Sequence, residues 1–172
     1  MIRNIITTVL LFVLLVLMQV VCNRICLFNV AVPFVFIYFI IRLPMSMSIN
    51  WVLTLSFLIG LIVDIFSNTA GMNAMACTIL AVLRKPILTL FCPREDEMAE
   101  TTLSIRTLGV GNYVKYMSLL TLVFCICIYL IQMFTFYNIA LTILRILGST
   151  LLTAIVIFGI DCIATTKSEK RL

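Results

Sequence analysis

Histidine is absent from this chain of 172 residues, and charge is scarce: Asp, Glu, Lys and Arg together make up 11%. Without histidine, the usual proton shuttle at neutral pH and the commonest metal ligand are missing. No CxxC pair exists, so neither a zinc ribbon nor a dithiol redox motif is available. HExxH and glycine-rich phosphate loops are missing too. Only two carboxylates, Asp64 and Asp161, stand inside apolar runs, and they lie toward opposite ends of the expected membrane crossing, where they cannot form one acid/base pair. The chain is not expected to be an enzyme, nor to carry a cofactor or a metal. Tandem repeats and low-complexity tracts are also lacking.

Cysteine is present seven times, an odd total that argues against a disulfide framework. Cys22, Cys26, Cys77, Cys125, Cys127 and Cys162 lie in or beside apolar runs, and Cys92 precedes a proline; they read as small packing hydrophobes. The nine methionines, Met45 and Met47 included, read as packing filler. The net charge of +5 is dispersed between apolar runs and forms no basic face, which speaks against nucleic acid and for contacts to anionic lipid headgroups.

What the chain has is hydrophobicity, at 63% of residues. A soluble domain is about half apolar and about a quarter charged, so lipid is the expected surrounding. A helix needs about 20 apolar residues to cross the hydrocarbon. The sequence predicts an all-α polytopic membrane protein, a single transmembrane domain over 1–172. Its six helices fall at about 5–22, 25–43, 49–66, 70–91, 114–136 and 139–163, with a cytoplasmic loop at 92–112. The first run is too long for a signal-peptide core and lacks a cleavage site, so it reads as an uncleaved helix. Pro33 either kinks the second helix or marks its true start.

Counting Lys and Arg sets the orientation. One side receives Arg3, Arg42, Arg84, Lys85, Arg94, Arg106, Lys115, Lys167, Lys170 and Arg171. The other has only Arg24, and Arg145 lies within the sixth helix. This asymmetry places both termini in the cytoplasm. Trp51, Tyr113 and Tyr116 then belong to an inner aromatic belt and Tyr137 to an outer one. Glu95, Asp96 and Glu97 suit the first turn of a short helix in the loop.

Asp64 is the most informative polar residue. A carboxylate beside lipid is costly, so it should face the bundle and find partners. Backbone amides at the start of the fourth helix, near Gly71 and Asn73, are candidates, since a helix N-terminus favours negative charge. Arg145, about 9 Å into the sixth helix from the same side, either pairs with Asp64 or snorkels outward. Asp64 is read as fixing the hairpin between helices three and four, ahead of a ligand or ion site. Ser67/Gly71 and Ala70/Ala74, at spacings of four, allow close helix approach, and Ala76 and Ala81 extend the small-residue set. Asp161, near the inner boundary, is expected to be solvated or paired locally.

Tyr38-Phe-Ile-Ile-Arg-Leu-Pro44, then Gly60-Leu-Ile-Val-Asp64-Ile-Phe-Ser67-Asn-Thr-Ala-Gly71, then an apolar helix through Leu80 and Leu83, resembles the MreD family of bacterial rod shape-determining membrane proteins. Gly60, Asp64, Ser67 and Gly71 stand where that pattern has them, while Asn68 replaces a common glycine. The matching segment runs from about Phe28 to Leu83. The resemblance implies a non-enzymatic, multi-pass subunit of the cell-wall elongation complex (the elongasome) in the bacterial inner membrane. It would bind MreC and act beside RodA, its transpeptidase partner and MreB in peptidoglycan synthesis. It also implies a fold similar to the S components of energy-coupling-factor vitamin transporters. The competing expectation is therefore a solute-binding subunit of such a transporter.

Overall fold

The computed structural model describes residues 2–24, 32–44, 46–91, 108–132 and 139–169. Six helices occupy most of them: α1 (Ile2–Arg24), α2 (Ile37–Arg42), α3 (Ile49–Ser67), α4 (Met72–Phe91), α5 (Val110–Gln132) and α6 (Ile139–Glu169). Among the described residues there is no strand. Ile49–Ser67, Met72–Phe91, Val110–Gln132 and Ala140–Cys162 are each long and apolar enough to cross a membrane, and Leu10–Cys22 of α1 forms a shorter apolar stretch.

Each long helix buries one stripe at helical spacing and exposes the rest. In α5 the stripe is Tyr113, Tyr116, Met117, Leu120, Thr121, Phe124, Cys125, Ile128 and Tyr129. In α3 it is Val52, Ser56, Ile59, Gly60, Val63 and Asp64. The opposite faces are equally apolar: Phe57, Leu61 and Ile65 of α3, and Leu144, Leu151 and Ile155 of α6, are exposed. In water such faces would be untenable, but against lipid tails they cost nothing. Packing follows chain order from α3 to α4, α5 and α6, while α1 lies against α2 and α3, and α2 against α4.

The centre of the bundle is the short segment before and through α2. Every residue from Pro33 to Ile41 is buried. Phe34 and Phe36 stack edge-on against Phe124 of α5, with ring centroids 5.2 Å and 5.6 Å away, and Phe39 meets Phe12 of α1 at 5.3 Å.

The helix expected over 25–43 is interrupted, and of the two readings of Pro33 the structure fits the one in which the helix starts after it. Residues 32–34 have no regular structure, 35–36 form a turn, and the helix begins only at Ile37. Pro33 lacks an N–H and disfavours helical conformation in the residue before it. The Val32, Phe34 and Val35 amides are satisfied by side chains from α1 and α6, which makes an irregular backbone tolerable here. Smaller differences concern helix ends. The fifth helix starts at Val110, after Gly109 with φ 76°, so 110–112 belong to it and not to the loop. The sixth continues to Glu169, beyond 163, with no proline or glycine in the added turns to stop propagation. Met45, Cys26, Cys92, Arg94 to Glu97, Arg106 and Tyr137 lie outside the described residues.

Candidate functional site

The α3–α4 turn is built around Asp64. Its Oδ1 accepts from the Thr69 hydroxyl, from the Asn73 backbone N–H at 3.1 Å and from Asn73 Nδ2 at 2.8 Å. Its Oδ2 accepts from the Ala74 N–H at 2.9 Å. The carboxylate thus caps the first turn of α4, where unpaired amides and the positive end of the helix dipole both favour an anion. Asn68 ends α3 in the left-handed region, φ 54° and ψ 44°, and its N–H returns to the Asp64 carbonyl. Gly71 has φ 77°. Asparagine and glycine are the residues that adopt such backbone readily.

Gly60 serves the same hairpin one turn earlier. A Cβ there would stand 2.5 Å from Ala74 Cα and 2.7 Å from Asn73 O, both backbone atoms. The two helices therefore cross where only glycine fits. Ala74, Ala76 and Ala81 are buried along α4, whereas Ala70 is exposed in the turn and Ser67 is half-buried at the end of α3. Arg145 is exposed on α6 and is not among the partners of Asp64.

A second polar group clamps the central segment. Gln19 of α1 donates through Nε2 to the Pro33 carbonyl at 3.1 Å and accepts from the Val35 N–H at 2.8 Å. From α6, Ser149 Oγ accepts from the Val32 N–H at 3.2 Å, and Thr153 Oγ1 from the Phe34 N–H at 3.0 Å. The Tyr129 hydroxyl of α5 lies 2.8 Å from Ser149 Oγ. The Val32, Phe34 and Val35 amides, which a helix would have paired internally, thus have side-chain partners, as a chain shielded from water requires.

Two turns further along α6, Asp161 is fully buried and accepts from the Tyr38 hydroxyl at 2.8 Å. Tyr38 in turn accepts from Arg42 Nη1 at 2.5 Å, and Tyr113 stands beside the same carboxylate. Asp161 is therefore neither solvated nor paired locally; a hydrogen-bond relay ties it to the end of α2. Tyr113 and Tyr116 are likewise buried in the bundle and form no part of an aromatic belt, while Trp51 is exposed in the first turn of α3.

Arg84 is the largest departure from the sequence reading. Counted among the cations of the cytoplasmic side, it lies within the expected fourth helix but is 2% exposed, so it is buried in the bundle and not available to that side. Its Nε and Nη2 are buried without a well-formed hydrogen bond; the Tyr116 hydroxyl of α5, likewise without one, is the polar group close enough to interact with the guanidinium.

Sequence reasoning missed Gln19, Ser149, Thr153 and Arg84. A trace existed for the α6 pair: Ser149, Thr153, Ile157 and Asp161 repeat every four residues along one face of an apolar helix. Among the described residues, no group of three metal-ligating side chains converges. Comparison with family models, curated proteins and solved structures finds no match to this chain.

Proposed function

We propose that this chain is a non-enzymatic membrane scaffold subunit of the MreD type, holding MreC and helping to position RodA, its transpeptidase partner and MreB in bacterial cell-wall elongation. In this reading six segments cross the inner membrane, the central one interrupted at Pro33, and both termini are cytoplasmic. With Arg84 removed from the count, nine basic residues against one still favour that orientation.

The observation that carries the proposal is the saturation of Asp64. Gly60, Asp64, Asn68 and Gly71, residues behind the resemblance, gather at one hairpin, where the Asp64 carboxylate is spent on Thr69, Asn73 and Ala74. A solute-binding cavity needs convergent polar groups left for a ligand, and the Asp64 carboxylate, with four hydrogen bonds from its own chain, has no such capacity left. That supports a motif whose task is to fix helix geometry, so that α1, α3 and α6 present apolar faces for lipid and for a partner's single membrane helix.

The test is affinity purification in mild detergent with identification of co-purifying chains. Recovery of a single-pass coiled-coil protein together with wall synthases is the expected result. Two ATPases with a coupling subunit would replace this reading by that of a vitamin-transporter S component.

A further inference from the structure

Buried side-chain polar atoms without a partner are few among the described residues: Ser56 Oγ, Asn73 Oδ1, the Tyr113 and Tyr116 hydroxyls, and two nitrogens of Arg84. Hydroxyls and amides can tolerate such a position at modest cost, but a guanidinium cannot. A buried arginine keeps its charge, and a buried charge without a counter-charge costs several kcal/mol. Arg84 is thus the one described group whose surroundings are chemically incomplete by a large margin.

The identity of the unpaired atoms narrows what is missing. Nε and Nη2 form the side edge of the guanidinium, from which two N–H bonds point in parallel. That edge matches the two oxygens of a carboxylate or phosphate. Tyr116, facing it from α5, supplies a third donor. Arg84 is seven residues before Phe91 and Tyr116 six after Val110. At 1.5 Å per residue both lie about 9–11 Å from the same end of the α4–α5 hairpin. With α5 some 34 Å long centred on a hydrocarbon core of about 30 Å, this depth is roughly 7–8 Å inside the apolar layer, within its outermost quarter. Lys85 and Lys115, next in sequence to the two residues, are exposed and add positive charge on the approach. Pro86 removes the helix hydrogen bond to Val82, which lets α4 bend beside the site.

We infer that Arg84 and Tyr116 form an internal oxyanion site that takes one phosphate group at the α4–α5 seam. The group comes from an anionic phospholipid or from free phosphate. Arg84 Nε and Nη2 donate to two of its oxygens and Tyr116 to one of these or a third. This site is separate from the Asp64 turn and does not depend on the scaffold reading.

The whole chain purified in dodecyl maltoside, which contains no oxyanion, supports two measurements. Native mass spectrometry after addition of phosphatidylglycerol should show one retained lipid per chain, and Arg84→Gln should lower retention about tenfold, the loss expected for a bidentate charged hydrogen bond. Arg84→Lys, which keeps the charge but not the fork, should fall between, and Tyr116→Phe should lose a few-fold. Thermal unfolding with added inorganic phosphate reports the other source. A rise in midpoint for the natural chain but not for Arg84→Gln assigns the site to free phosphate; lipid retention without such a rise assigns it to phospholipid. The inference is overturned if neither probe binds, or if Arg84→Gln, eluting as a monodisperse protein, retains the lipid as well as the natural chain does.

Discussion

Asp64 and Arg84 are 3% and 2% exposed, and both bear on α4, one at its N-terminus and the other about three turns along it. Asp64 receives four hydrogen bonds, from two backbone amides, an asparagine side chain and a hydroxyl. Arg84 has two buried nitrogens with no hydrogen bond. A buried charge whose capacity is consumed by its own chain is a structural element. One whose capacity is unused points outward, to something the chain must acquire. The contrast separates the two kinds of intramembrane charge without any knowledge of partners.

The strongest way to break this contrast is Asp64→Ala, which orphans donors at the start of α4. We expect a loss of about 3 kcal/mol in stability, measured by detergent unfolding; an unchanged midpoint would mean that the carboxylate is not what holds the hairpin. Gly60→Val tests the same turn through shape. A side chain forced against the Ala74 backbone should cost about 2 kcal/mol, as overpacking commonly does. Thr153→Val removes the acceptor for the Phe34 amide and should cost about 1.5 kcal/mol, with faster hydrogen exchange at that amide as an independent readout. Arg84→Met has the smallest effect and the opposite sign. In detergent free of oxyanions it should leave the protein as stable as before or raise stability by about 1 kcal/mol, because an uncompensated buried charge gives way to a hydrophobe. If Arg84→Met instead destabilised the fold as much as Asp64→Ala, the two residues would belong to one class.

The spans of α3 to α6 are readable from length and hydropathy because lipid imposes both. The partners of Asp64 are readable as well, since Asn73 and Ala74 lie only nine and ten residues away, across one turn. The break before α2 is different. Pro33 signals a disturbance, but whether the chain unwinds depends on acceptors at Gln19, Ser149 and Thr153, which are brought to it only by the folded bundle. Arg84 reads as a cytoplasmic-side cation because it adjoins Lys85; its burial beside Tyr116 of α5 depends on packing between helices, which the local sequence does not carry. Tyr113 and Tyr116 were assigned to an interface by their proximity to a helix terminus. Their spacing continues through Met117, Leu120 and Phe124, which marks them instead as the first turn of the buried stripe. Asp161 was judged by depth alone, while its partner Tyr38 lies 123 positions earlier.

The Val32 and Phe34 amides find their acceptors 117 and 119 residues downstream. At a synthesis rate of roughly 5–20 residues per second, at least several seconds pass between emergence of the first group and of the second. During that interval the segment around Pro33 has no complete set of partners and cannot reside stably in hydrocarbon. With this segment placed within the membrane as proposed, insertion is expected not to proceed span by span from the N-terminus. The central segment must be held in a hydrated or chaperoned place until the last helix arrives, so a ribosome-stalled chain ending before Ser149 should leave residues 32–36 open to a water-borne thiol reagent at an introduced cysteine, and the full-length chain should not.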